Sequence, residues 1–146
     1  WQIDQGVAVK KDSTVTMEEF KAGKLTIGVQ RSCSADQWLQ DTFGKETYDA
    51  MVKESKIKLY DTFPMSMVDL QNGQVQTVIF DDVNIKDYIK SKSDLVMLGT
   101  IPTGEEYGVA MRNADTDLHK IMNDGITKLK ASTKWTELQK KYIISE

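Results

Sequence analysis

The sequence predicts an α/β fold with a mostly parallel sheet. Short β-branched runs alternate with helical patterns in a β-α-β order along the chain. The run Leu25–Val29 is almost continuously apolar, which is typical of a strand that helices cover on both faces of a sheet. Of the 146 residues, 40% are hydrophobic, and this fraction is enough to build the core of one ordinary domain.

Capping signals divide the first part of the chain into elements. The segment TMEEF, which begins at Thr16, has the form of a capping box and predicts a short helix that ends at Gly23. Ser34 and Gln37 repeat the capping-box spacing, so Ser34 is the predicted N-cap of a helix that runs to about Phe43. The other elements predicted here are the strands Gly6–Lys10, Leu25–Val29 and Lys56–Tyr60 and the helix Glu46–Ser55.

The second part of the chain continues the alternation. Pro64 favours the first turn of a helix, and Asn72-Gly73 favours its left-handed end. Near the C-terminus, apolar residues at helical spacing predict two amphipathic helices, Leu118–Leu129 and Trp135–Tyr142. The remaining predicted elements are the strands Thr77–Asp81, Leu95–Leu98 and Tyr107–Met111 and the helix Val83–Lys90.

Charge and composition exclude several classes of function. Nineteen basic and twenty-two acidic residues give a net charge of -3, which supplies no field that attracts nucleic acid or an anionic membrane, so neither is an expected partner. The sequence contains one cysteine, Cys33, and one histidine, His119. Without a second cysteine no internal disulfide forms, and without a ligand cluster the sequence predicts no metal site and no cofactor.

Two strand ends place opposite charges at the same edge of the predicted sheet. In open α/β sheets, ligands bind at the carboxyl ends of the strands. One strand leads into the helix at Ser34, whose first N–H groups favour an anion with help from the Ser34 hydroxyl and the Arg31 guanidinium. The other strand ends at Asp81, which favours a cation. An amino-acid zwitterion fits this pair of charges.

The neighbours of Asp81 have competing interpretations. Asp82 is expected to cap the helix that follows, and Phe80 is expected to add an aromatic wall to the site. Helix caps and aromatic residues in strands commonly have structural roles only, so a purely structural role for Ser34 and Phe80 stays open. Two adjacent carboxylates also suggest general acid–base chemistry, although neighbouring residues at a strand end point in different directions.

Three segments resemble a known protein family. They are GVAVKKDSTVTMEEFKAGKLTIGVQ, LQNGQVQTVIFDD and EEYGVAMRNADTDLHKIMNDGITKLKASTKWTELQKKYI. In this order they resemble the extracellular solute-binding protein family 3, the amino-acid-type periplasmic binding proteins of ABC importers, which have the type II fold. The resemblance implies a three-layer second lobe, followed by a C-terminal strand and helices from a first lobe whose N-terminal part is absent. The implied segments are a first hinge strand at 1–10, the ligand-binding lobe at 11–104, a second hinge strand at 105–111 and the C-terminal helices at 112–146.

The resemblance also implies which residues hold a ligand. The turn at Ser32, Cys33 and Ser34 corresponds to a Gly-Thr-Thr type segment that holds the ligand carboxylate, and Asp81 corresponds to the aspartate that holds the α-amino group. Ser32 and Cys33 depart from the usual glycine and threonine. The implied function is capture of an amino acid or a similar small amine-bearing solute, without enzymatic chemistry, in the periplasm or outside the cell.

An ABC permease in the membrane is the implied partner. Whether the full-length protein has a membrane anchor stays open. A cyclohexadienyl or arogenate dehydratase-like enzyme and the ligand-sensing lobe of a receptor are the alternatives that share this fold. The C-terminal helices are expected to leave apolar faces uncovered. They therefore predict a homodimer, or a domain swap through the hinge.

Overall fold

A computed structural model describes residues 2–142 and divides the chain into two compact units. The first unit ends at Glu106 and the second begins at Tyr107, so the division falls inside the predicted second hinge segment, 105–111. Trp1, the first residue of the predicted hinge strand 1–10, lies outside the described residues. The assignment of the four segments to lobes and hinges stays a prediction.

The first unit is an α/β domain with a mixed sheet. Its elements are β1 (Gln2–Lys10), α1 (Met17–Lys21), β2 (Ile27–Gln30), α2 (Ser34–Phe43), α3 (Lys45–Lys53), β3 (Ile57–Tyr60), α4 (Phe63–Gln71), β4 (Thr77–Asp81), α5 (Asp82–Ile89) and β5 (Leu95–Glu106). The strand order is β3-β2-β4-β1-β5. Strand β2 is parallel to β3 and β4, whereas β1 is antiparallel to β4 and β5. The predicted α/β class is confirmed, and the sheet is mixed because β1 runs against both of its neighbours.

Helices cover both faces of this sheet. Adjacent residues of a strand point to opposite faces, and in β4 Val78 and Ile79 belong to different hydrophobic clusters. The cluster of Ile79 contains Phe20, Leu39 and Met51 from α1, α2 and α3. The cluster of Val78 contains Met67, Leu70 and Ile85 from α4 and α5. The unit therefore has the expected three layers.

The helix starts agree with the predicted caps at α1 only. There the Thr16 hydroxyl accepts the Glu19 N–H at 3.2 Å, and the Glu19 carboxylate accepts the Thr16 N–H at 2.9 Å, which confirms the capping box. At α2 the N-cap is Cys33, and Ser34 is the first helical residue, so the predicted role of Ser34 as the cap is wrong. Ser34 instead directs its hydroxyl towards β1, as described below.

The predicted cap at α5 is also wrong. Asp82 is the first residue of the helix, and the N-cap is Asp81, which makes no capping hydrogen bond with its side chain. Asp82 is buried, and its carboxylate pairs with the ammonium group of Lys86 one turn along the helix. A buried carboxylate needs such a partner, and this pairing explains the orientation of Asp82.

Strand β5 is longer than the sequence predicted. It runs from Leu95 to Glu106, whereas the predicted strand Tyr107–Met111 is wrong, since residues 107–111 form no strand. Pro102 and Gly104 suggested a break in this region. However, β1 pairs with β5 on both sides of this region, at Ile101 and at Glu105, and the strand continues across a register irregularity between these pairs.

The second unit contains the two predicted amphipathic helices, α6 (Thr116–Lys130) and α7 (Thr133–Tyr142). Neither helix contains a buried residue. On α6, Leu118 is 46% exposed and Ile121 is 66% exposed. Within residues 2–142, no helix combines the length and the apolar character needed to cross a membrane.

Candidate functional site

Two of the predicted site residues, Ser34 and Asp81, meet at the side chain of Gln5. The Gln5 Nε2 atom lies 3.3 Å from the Ser34 Oγ and 3.1 Å from the Asp81 Oδ1. Ser34 is at the start of α2 and Asp81 is at the end of β4, so the structure brings together the helix start and the strand end that the charge pattern paired. Asp81 is half-buried, whereas Ser34 is exposed.

Gln5 was not predicted as a site residue. It is completely buried in β1, where it lies opposite Asp81 in the register with β4. This register places both side chains on the same face of the sheet. The sequence offered little signal for this role, because Gln5 lies between Asp4 and Gly6, just before the predicted strand Gly6–Lys10. Its burial explains the contacts, because a buried amide needs hydrogen-bond partners.

Glu105 is a second missed residue. Its Oε1 accepts a hydrogen bond from the same Gln5 Nε2 at 3.0 Å. The strand around it is irregular. Gly104 has a φ of 64°, and the Asp4 carboxylate accepts the N–H groups of Thr103 at 3.2 Å and Gly104 at 3.3 Å. Such irregularities redirect side chains at sheet edges, and the sequence showed only a glycine and a proline in this region.

Asp36 holds the turn that precedes α2. Ser32 has a φ of 57°, in the left-handed region that favours glycine, and its N–H donates to the Asp36 Oδ2 at 2.7 Å. The other oxygen of this buried carboxylate accepts a hydrogen bond from the Tyr48 hydroxyl. Burial and the Asp36 carboxylate both raise the pKa of Tyr48, so its hydroxyl keeps its proton.

The Tyr48→Phe substitution is expected to lower the free energy of unfolding by about 1–3 kcal/mol, because a buried carboxylate loses a donor. Urea unfolding measures the loss, and the exposed Tyr142→Phe is the control, with little change. Because folding raises the pKa of Tyr48 above its ordinary value of 10.0, this stabilisation should be complete below about pH 10 and decline at higher pH. Equal losses in the two variants would contradict the role of Tyr48.

The thiol of Cys33 faces the backbone of the turn. Its Sγ donates to the Gln30 carbonyl oxygen at 3.0 Å. Burial raises the pKa of the thiol, so the group stays protonated and serves as this donor. Ser32 and Cys33 thus adjoin the start of α2, but their N–H and S–H groups are used within the turn.

The structure does not bring Arg31 and Phe80 to the other predicted residues. The exposed Arg31 guanidinium pairs with Asp61, with 3.0 Å between Nε and Oδ1. Phe80 stacks on Phe63 with 4.5 Å between ring centroids, and it packs against the cluster of α4 and α5. Because Phe80 and Asp81 are adjacent in a strand, their side chains point to opposite faces of the sheet.

The arrangement of α2 and β4 suits a ligand with both charges. The first N–H groups of a helix carry partial positive charge and favour an anion, and α2 has ten residues. The Asp81 carboxylate favours a cation at the neighbouring position. Ser34, at the start of α2, and Asp81 both lie within hydrogen-bond distance of the buried Gln5 amide.

No protein-family model matches the chain. Among curated proteins, the chain is 26% identical over 150 residues to the probable histidine-binding protein of Neisseria gonorrhoeae. This match covers 100% of the chain and 53% of that protein. It is 25% identical over 128 residues to the L-cystine-binding protein TcyJ of Escherichia coli (strain K12), which covers 87% of the chain and 44% of that protein. The chain therefore spans about half the length of these relatives.

Solved structures show the same relationship. A mutant of ArgBP from T. maritima matches with a TM-score of 0.78 and 26% identity, over 97% of this chain and 58% of that one. The substrate binding protein of an amino acid ABC transporter matches with a TM-score of 0.75 and 25% identity, over 97% of this chain and 59% of that one. The resemblance to the amino-acid-type solute-binding proteins of ABC transporters is confirmed, and none of these four names describes a dehydratase.

Proposed function

We propose that the chain is part of the substrate-binding component of an ABC transporter. It captures an amino acid or a similar small amine-bearing solute outside the cytoplasm, in the periplasm or the extracellular space, and delivers it to a membrane permease. The observation that carries the proposal is the meeting of Ser34 and Asp81 at the Gln5 Nε2, at 3.3 Å and 3.1 Å. The names of the relatives, which describe histidine-, cystine- and arginine-binding proteins, support the solute class.

The two ends of the ligand bind different elements. The α-ammonium group binds Asp81, and the carboxylate binds the start of α2 through the Ser34 hydroxyl and the first N–H groups. Ser32 and Cys33 shape this turn through their contacts with Asp36 and Gln30. Arg31 and Phe80 are left out of the proposed ligand contacts, because one is paired with Asp61 and the other packs in the opposite layer.

The protein binds its solute without chemistry. Acid–base catalysis by the Asp81 and Asp82 pair would need both carboxylates in the site. Asp82 is 8% exposed and pairs with Lys86, so it belongs to the helix that follows the site. This arrangement favours binding over a dehydratase reaction, in agreement with the names of the relatives.

The proposal is tested by adding a panel of amino acids and small amines, one at a time, to the full protein. Thermal unfolding is recorded with each solute in excess. A solute at about 100 times its Kd adds about 2.7 kcal/mol of stability, which raises the melting temperature by several degrees. The absence of a response to every amino acid in the panel would contradict the proposal, as would product formation from prephenate or arogenate.

A second polypeptide surface is expected to cover α6. Leu118, Ile121 and Ile126 are each more than a third exposed, and apolar surfaces of this kind favour association. For the 146-residue chain, we infer a homodimer, with exchange of hinge segments as one route to it. Sedimentation should show a dimer that a charged substitution, Ile121→Lys, converts to a monomer. A compact wild-type monomer would contradict this inference.

A further inference from the structure

The turn before α2 contains a residue in an unfavourable backbone conformation. Ser32 has a φ of 57°, and L-residues avoid this left-handed region because Cβ comes too close to the following carbonyl oxygen. The cost lowers the population of this conformation by about 5–30-fold relative to ordinary backbone. Among the described residues, 2–142, Ser32 and Ser55 are the two non-glycine residues with a positive φ. Such a conformation persists only where the surrounding contacts hold it.

Ser32 lies where the chain passes from the sheet to the proposed site. The residue before it, Arg31, donates its N–H to the carbonyl oxygen of Tyr60 in β3 at 2.9 Å, which anchors the chain to the sheet. Two residues after Ser32 is Ser34, the first residue of α2, whose Oγ lies 3.3 Å from the Gln5 Nε2. A different φ at Ser32 therefore changes the path by which the chain reaches Ser34.

Asp36 supplies the contact that holds Ser32. Its Oδ2 accepts the Ser32 N–H at 2.7 Å, and its Oδ1 accepts the hydroxyl of Tyr48 from α3. Asp36 and Tyr48 are both buried, so the surrounding side chains fix their positions. A carboxylate that accepts a hydrogen bond at each oxygen has one preferred orientation, and hydrogen bonds to a charged acceptor are stronger than neutral ones. In that orientation the carboxylate meets the N–H of a left-handed Ser32.

The charge of Asp36 acts in the opposite direction to its hydrogen bond. Asp36 lies in the first turn of α2, where a negative charge disfavours a second anion at the same helix start. By charge alone, removal of Asp36 would therefore tighten the binding of a solute carboxylate. By its hold on Ser32, removal of Asp36 would weaken it. The two effects have opposite signs, so a measured affinity distinguishes them.

We propose that Asp36, oriented by Tyr48, is a positioning residue for the solute's carboxylate. It compensates for the left-handed conformation of Ser32 and so presents the start of α2 to the carboxylate. This role rests on the proposed function, in which the start of α2 binds that group. Glycine adopts a positive φ without the cost that an L-residue has, so Asp36 replaces the conformational freedom that a glycine would supply at position 32.

The Asp36→Ala substitution in the full protein tests this role. Calorimetric titration is carried out with L-histidine, L-arginine and L-cystine, and with the strongest binder of the panel described above. Each solute that binds the wild type should bind Asp36→Ala about 5–30-fold more weakly, because the competent turn is less populated. Asp41→Ala is the control, since it removes an exposed carboxylate from the same helix. Asp36→Ala binding as tightly as Asp41→Ala, or more tightly, would overturn the proposal and leave the proposed function standing.

A glycine at position 32 distinguishes positioning from a general loss of stability. When Ser32→Gly is already present, Asp36→Ala should weaken binding by less than about threefold, because glycine needs no support at a positive φ. Ser55→Gly is the matched control, since Ser55 is also exposed and has a φ of 60°, at the end of α3. Combined with Ser55→Gly, Asp36→Ala should keep its full loss of affinity. Equal losses in the two combinations would overturn the proposal.

Tyr48→Phe is a milder variant that keeps the Asp36 carboxylate, and it decides the matter if Asp36→Ala does not fold. It should weaken binding by about twofold to fivefold through the lost hydrogen bond, and Ser32→Gly should remove most of this loss. Circular dichroism identifies conditions in which each variant is folded. An unchanged affinity in folded Tyr48→Phe would overturn the role of the pair. If the wild type binds no member of the panel, the proposed function fails and this role fails with it.

Discussion

Replacing Asp81 with asparagine is expected to weaken the binding of every amino acid by about 2–5 kcal/mol, which is about 30-fold or more. The substitution removes the negative charge that neutralises the α-ammonium group, and this group is common to all amino acids. Calorimetric titration with the solute that responds best in the panel measures the effect. The loss should be independent of the solute's side chain.

Asp87→Asn is the control for this substitution. Asp87 is an exposed residue of α5 that pairs with Lys90 at 3.1 Å. Its substitution therefore removes one negative charge, as Asp81→Asn does, but at a residue outside the site. Circular dichroism checks that both variants keep their secondary structure. If Asp81→Asn binds the solute as tightly as Asp87→Asn does, the ammonium position is not at Asp81.

Truncating Leu39 to alanine is expected to lower the free energy of unfolding by about 2–5 kcal/mol. Leu39 is completely buried and belongs to the cluster that joins α2 to the sheet. Its loss leaves a cavity beneath the helix whose first residue is Ser34. Urea unfolding followed by circular dichroism measures the change.

Val68→Ala is the matched control for Leu39→Ala. Val68 is a helical residue of α4 that is 49% exposed, so its truncation should change the free energy of unfolding by no more than about 0.5 kcal/mol. A difference of less than about 1 kcal/mol between the two variants would show that Leu39 does not anchor α2 to the sheet.

Local sequence signals predicted the elements that local interactions stabilise. The capping box of α1 was correct because Thr16 and Glu19 satisfy each other's backbone groups within one helical turn. The left-handed end of α4 was correct at Gly73, which has a φ of 72°. The start of α2 was misassigned, because the spacing of Ser34 and Gln37 did not reveal that Asp36 is the residue that reaches back to the turn.

Interactions between distant segments were not visible in the sequence. The strand continues past Pro102 because β1 pairs with β5 on both sides of it, at Ile101 and at Glu105, although the register shifts between these pairs. Phe80 and Asp81 were predicted to share a site, but alternation along β4 sends them to opposite layers. Arg31 was predicted to help bind an anionic group because of its positive charge. The structure instead pairs it with Asp61, thirty residues further along the chain.

The sequence by itself predicted the α/β class and the two strand ends near which Ser34 and Asp81 lie, because hydrophobic periodicity and charge at turns are local properties. The tertiary structure decided that these two residues meet at Gln5, and that Glu105 joins them from the far end of β5. The register of β1 with β4 and the irregular pairing of β1 with β5 around Gly104 fix these meetings. Both depend on the pairing of segments far apart in the chain, which no pattern within a single segment records.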